Sequence, residues 1–159
     1  MLAELQGVQE TLDGLTAQVK KQLEGLDENG LNWVPAGEEE VNSLYATTLH
    51  IALAQIAVAG RAINQRLPVN APEVEEASSV FKVRGVSADR AYELLDEATL
   101  LVRDVLNRLT PEILDETRVS RSGESHTARW WILHLIEHTA NHLGHMELTR
   151  QLYLSQKDR

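Results

Sequence analysis

The sequence predicts an all-α fold, a four-helix bundle with a long crossover between helices two and three. Apolar residues recur at steps of three and four over four long stretches, and none alternates apolar and polar residues as a half-buried strand does. One connection, Pro68 to Val86, is far longer than the others, which lets the helices it joins run parallel, while the shorter links favour antiparallel neighbours. With 159 residues the chain suits one domain, 1–159, able to bury a sizeable core without disulfides.

Leu2, Leu5, Val8, Leu12, Leu15, Val19, Leu23 and Leu26 mark one face of a first helix over residues 2 to 26. Gly7 and Gly14 weaken it, and the turn formers Asp27, Glu28, Asn29 and Gly30 end it. LNWVPAGEEE follows as a structured loop, because Pro35 and Gly37 deny a continuous helix and Trp33 needs a surface to pack on. The second helix, from about Asn42 to Arg66, takes Asn42 or Ser43 as its N-cap and carries His50 at its middle. The crossover contains two prolines, paired serines and Gly85, shows no sustained period, and has room for a short helical turn. Ser87 caps a third helix, about Ala88 to Leu109, and Thr110 with Pro111 starts a further turn, ILDE. Residues 117 to 124, TRVSRSGE, read as polar linker before the last helix, capped by Ser125 or Thr127 and running to about Leu154.

That last helix carries the chemistry. His134, His138, His142 and His145 follow one another at steps of four, four and three, so on a helix their rings share a sector of roughly 80°. A lone histidine on such a face is ordinarily a core residue with a satisfied ring nitrogen. Four of them would bury several polar nitrogens, each costing about 1 to 3 kcal/mol if unpaired, and a metal ion removes that cost. A solvated polar stripe is the other reading. The spacing does not choose between the pairs His134 with His138 and His138 with His142. His50, among Leu49, Ile51 and Leu53, reads alone as a core histidine, and within a bundle as a third ligand donated across a helix pair.

Composition narrows the chemistry further. The absence of cysteine leaves nitrogen and oxygen as the only donors and means that any thiol must arrive with a substrate. A formal charge of −9 repels phosphate backbones and anionic membrane surfaces, which argues against nucleic-acid or membrane partners. The N-terminus lacks a basic segment followed by an apolar run, and no stretch is apolar over a membrane-spanning length, so a cytoplasmic location is expected.

Three blocks, LNWVP, NSLYATTLHIA and GESHTARWWILHLIEHTANHLGHMELTRQLY, resemble the DinB/YfiT-like superfamily, in particular its DinB-like and DUF664-like members. The likeness covers nearly the whole chain, and the last block is the specific one. It implies a four-helix bundle whose metal is held by one histidine of the second helix and an HxxxH pair of the fourth, here His50, His138 and His142. The family block often reads HxxxHxGQ, and His145 stands where glutamine is frequent. His145, Asn141 and His134 are then neighbours of the ligands or face the substrate, and no catalytic residue is assigned. His126, at the helix start, is expected to face solvent or cap.

Three imidazoles with an open coordination position describe a catalytic metal site, which can acidify a water, activate a thiol or polarise a carbonyl. Zinc is the simplest ion for it, with nickel or iron as alternatives. The resemblance implies thiol S-transfer on a small electrophile with a low-molecular-weight thiol as cosubstrate. The alternatives are a metal-dependent hydrolase and a metal-binding stress or interaction protein without turnover. The HExxH motif of zinc proteases is absent, since Glu137 directly precedes His138. Asn141, Tyr45 and Asn42 are possible polar wall residues, with packing or capping as their bland role. Trp130, Trp131 and Tyr153 on the last helix offer material for a homodimer surface.

Overall fold

Side-chain caps decide where the long helices begin. The computed structural model describes residues 1–37, 41–74, 77–85 and 87–157. Its helices are α1 (Ala3–Leu23), α2 (Glu28–Asn32), α3 (Leu44–Ala62), α4 (Ala88–Arg108), α5 (Pro111–Asp115) and α6 (Ala128–Lys157). Ser43 Oγ accepts from the Ala46 amide at 3.2 Å and Thr127 Oγ1 from the Trp130 amide at 3.2 Å, which selects one of each expected pair of caps. Ser87 caps α4 and Thr110 caps α5 in the same way. Each such cap stabilises its helix by about 1 kcal/mol.

Two ends differ from expectation. The residues expected to close the first helix instead start α2, because the Asp27 carboxylate accepts the Gly30 amide at 2.9 Å as an N-cap. α3 stops at Ala62 rather than near Arg66. There Asn64 takes a left-handed φ of 54°, and the Gln65 amide folds back to donate to the Gly60 carbonyl at 2.8 Å. A Cβ on residue 60 would lie 2.5 Å from the Gln65 carbonyl oxygen, so this reversal requires glycine. In the loop beyond α2, Trp33 packs on Tyr153 with ring centroids 5.7 Å apart, and Glu38 to Glu40 lie outside the described residues.

α3 packs against α4 and α6, and α1 against α6 and α4, leaving α1 and α3 at opposite corners of a four-helix bundle. The crossover from Pro68 leads from α3 to α4 and holds a 3₁₀ helix, Ala77–Lys82, that rests on α3. Its residues 75, 76 and 86 lie outside the described set. One apolar cluster gathers around Tyr45, Leu49, Leu94 and Leu95, and a second around Leu5, Val105, Trp131 and Ile132. α3 contributes to both. At mid-bundle Gln55 Nε2 donates to Thr139 Oγ1 at 3.2 Å, a buried polar tie between α3 and α6.

The polar linker is a correction to the expected fold. β1 (Thr117–Val119) and β2 (Ser125–Thr127) pair antiparallel, with Arg118 opposite His126. Strands of three residues are too short to display alternation, but their β-branched residues favour extended backbone, and Gly123 supplies a φ of +89° in the turn. Arg118 anchors the hairpin: its Nε donates to the Ala62 carbonyl at 3.1 Å, and its own carbonyl accepts from Trp131 Nε1 at 3.2 Å.

That anchoring also places the aromatic residues of α6. Trp131 and Tyr153 are buried, so of the three offered to a partner surface only Trp130 is exposed. Among the described residues no helix is long and apolar enough to cross a membrane.

Candidate metal centre

α3 is buried on most of its circumference, and His50 lies on the stripe that is not. Opposite it, the four-residue step of α6 stacks His138 and His142 one turn apart on the face turned to α3. One ring nitrogen from each of His50, His138 and His142 lies within 4.8 Å of the other two. The Nε2 atoms of His50 and His138 are 3.1 Å apart, close enough for one ring to donate to the other. Two nitrogens bound tetrahedrally to one ion at about 2.05 Å are separated by roughly 3.3 Å, so this pair already has ligand spacing. All three rings are half-buried, and Phe81 of the 3₁₀ helix covers His50 with its centroid 4.7 Å away.

Burial also sets the charge. It pushes His50 down to about 4, helped by the neighbouring His142 ring. His138 falls to about 4 as well, chiefly through burial and then through the rings of His142, His50 and His134. His142 is lowered by burial and by His145. At neutral pH the cluster is therefore a set of uncharged imidazoles, the state from which a ring nitrogen can offer its lone pair to a metal. Residue types, spacing and protonation all fit a divalent ion.

The remaining sequence candidates separate from this group. His134 turns to its own helix, where Nδ1 donates to Glu137 at 2.7 Å and Trp130 stacks on the ring at 5.0 Å. Asn141 is exposed and donates to the other Glu137 oxygen at 3.4 Å, away from the cluster. His145 is exposed, edge-on to His142 at 5.8 Å. His126 is not a cap: it is half-buried on β2 and stacks on Trp130 at 3.8 Å. Tyr45 lies fully buried in the core, and its hydroxyl has no hydrogen-bond partner among the described residues. Phe81 was not foreseen, because the crossover has no period from which to aim a side chain. Arg61 was overlooked as well, although it stands eleven residues, or about three helical turns, after His50 on the same stripe. Its guanidinium lies over the Trp131 ring at 4.2 Å.

Residues 11–146 match the DinB superfamily. A search of curated proteins finds no match. Among solved structures, the chain is similar to a conserved protein from Enterococcus faecalis at a TM-score of 0.78 and 16% identity, covering 98% of this chain and 99% of that one. It is similar to YfiT from Bacillus subtilis, a probable metal-dependent hydrolase with an unusual four-helix bundle topology, at a TM-score of 0.70 and 17% identity over 95% and 89% of the two chains. A mycothiol-dependent maleylpyruvate isomerase aligns at a TM-score of 0.64 and 13% identity, over 89% of this chain and 60% of the isomerase.

Proposed function

This chain belongs to the DinB superfamily, and from that premise we propose that His50, His138 and His142 bind a divalent metal used in small-molecule chemistry, with S-transfer from a thiol cosubstrate to a small electrophile as the reaction. The observation that carries the reading is the convergence of three ring nitrogens within 4.8 Å from two different helices. Bound there, a divalent ion supplies Lewis acidity at the coordination position that three protein ligands leave open. The chain's own part is to keep the imidazoles neutral by burial and to shield His50 behind Phe81. With no cysteine in the chain, the nucleophilic sulfur comes from the cosubstrate. Zinc is the proposed ion, with nickel or iron as alternatives.

A metal-dependent hydrolase is the second reading, favoured by the likeness to YfiT. A homodimer is proposed on the exposed leucines of α6, Leu133, Leu148 and Leu152, and a monomer by sedimentation equilibrium would reject it.

The test begins with metal analysis of protein purified without a polyhistidine tag, where about one ion per chain is expected. His50→Ala, His138→Ala and His142→Ala should each abolish tight binding, His126→Ala should leave it intact, and His145→Ala should weaken it by about 10 to 100-fold or less. No uptake of zinc or nickel sinks the metal site. Loaded protein is then given 1-chloro-2,4-dinitrobenzene with cysteine, and separately 4-nitrophenyl acetate. Metal-dependent consumption of the first supports S-transfer, and turnover of the second alone supports the hydrolase.

A further inference from the structure

Beyond the histidines, the exposed stripe of α3 continues toward its C-terminus. His50, Leu53, Ala57 and Arg61 fall within a sector of about 80° on the helix. Leu53, Ala57 and Arg61 form one wall of an open groove of about 530 Å³, closed on another side by Val119 of the hairpin. The same groove is lined by Arg66, just beyond the Gly60 reversal, and by Arg121 in the hairpin turn. Three arginines therefore converge on a groove with apolar walls, in a protein whose formal charge is −9.

These arginines differ from the rest. Every other described arginine donates a hydrogen bond to a carboxylate or a backbone carbonyl. The side chains of Arg61, Arg66 and Arg121 have no ion-pair or hydrogen-bond partner among the described residues. Arg61 is half-buried with its guanidinium carbon 4.2 Å from the Trp131 ring centroid, a cation–π contact that favours one placement of its donors. Glu124 of the hairpin favours the Arg61 charge from a distance but forms no ion pair with it, and one of its carboxylate oxygens accepts from the Ser122 hydroxyl at 3.2 Å. A partly desolvated guanidinium that burial and the neighbouring Arg121 disfavour, and that no ion pair among the described residues neutralises, is complementary to an oxyanion.

We propose that this groove binds a small organic anion with its oxyanion head, a carboxylate or a phosphate, on Arg61, Arg66 and Arg121 and its apolar body along Leu53 and Ala57. The body then points at the histidine cluster. From His50 to Arg61 the helix rises about 16 Å, so after the reach of the arginine side chain the ligand spans on the order of 10 Å. Only the identity of the reacting end rests on the metal-site reading; the anion site stands on the arginines and the groove.

The test is an amide-resolved NMR titration of the full chain, metal-free and again after zinc loading, with 4-phenylbutanoate, its neutral amide and 4-phenylbutyl phosphate. The acid should shift amides around Leu53, Arg61 and Val119 and bind at least about tenfold more tightly than the amide, a difference of about 1.4 kcal/mol. Arg121→Gln and Arg66→Gln, both on the exposed rim, should each weaken the acid about three- to tenfold and leave the amide unchanged. Arg61→Gln should do the same; should it disturb the fold through Trp131, the two rim variants still decide. Tighter binding of the phosphate supports the same site with a phosphate head. Equal affinity of acid and amide, shifts centred elsewhere, indifferent rim variants, or no shift up to about 10 mM, where a site with a Kd of 1 mM is nearly filled, would overturn the proposal. If zinc is never taken up but the acid still binds the groove, the anion site stands and the metal reading fails.

Discussion

Lowering the pH from about 7.5 to about 5.5 should weaken zinc binding at the histidine cluster by no more than about tenfold, because protons compete poorly for these rings. An imidazole with the ordinary pKa near 6.5 passes from about 90% to about 9% neutral over that interval, so three independent ligands would together lose on the order of 1000-fold. His50 and His138 are held down to about 4 by burial. At about pH 5.5 such rings remain more than about 95% neutral and contribute almost nothing to the loss. His142 is lowered too, so its share stays below the tenfold of an ordinary ring. The sign follows from which form is penalised: burial disfavours imidazolium, so competition begins only as the pH nears the depressed values. The assay is a competition titration of zinc against a chromophoric chelator at several pH values, corrected for the chelator's own protonation. A loss of about 100-fold or more would refute the reasoning, since it requires hydrated rings of ordinary basicity. Phe81→Ala supplies the control: uncovering His50 should steepen the dependence by up to about tenfold.

Chelating the metal should leave helical circular dichroism nearly unchanged, because the two apolar clusters hold the bundle without the ion. Unfolding on chelation would make the site structural. Gly60→Ala should destabilise the fold by about 1 to 3 kcal/mol, because its Cβ meets the backbone oxygen of Gln65 at 2.5 Å. In a chain of this size that lowers Tm by about 3 to 10 °C in a thermal melt, and an unchanged Tm would mean that the reversal after α3 yields at little cost.

The sequence by itself determined the bundle, its long crossover and the histidine stripe. Helical periodicity and capping are local, so Ser43, Ser87, Thr110 and Thr127 announce their helices within a few residues of chain. The stripe is likewise a property of one helix. Which two of its rings meet His50 depends on how α6 is placed against α3, and only the family resemblance favoured His138 and His142 over His134 beforehand. The tertiary structure brings those two to His50 and leaves His134 bonded to Glu137.

The hairpin escaped because three-residue strands carry no period, and its stability comes from Arg118 bonding to residues far along the chain. Trp131 and Tyr153 looked like surface material because an aromatic side chain does not declare which side of a helix will be covered. The cover on His50 and the convergence of Arg61, Arg66 and Arg121 were equally invisible. They join a 3₁₀ helix, a helix end and a hairpin turn to the stripe on α3, and contacts between such distant segments are decided by packing, which no local pattern encodes.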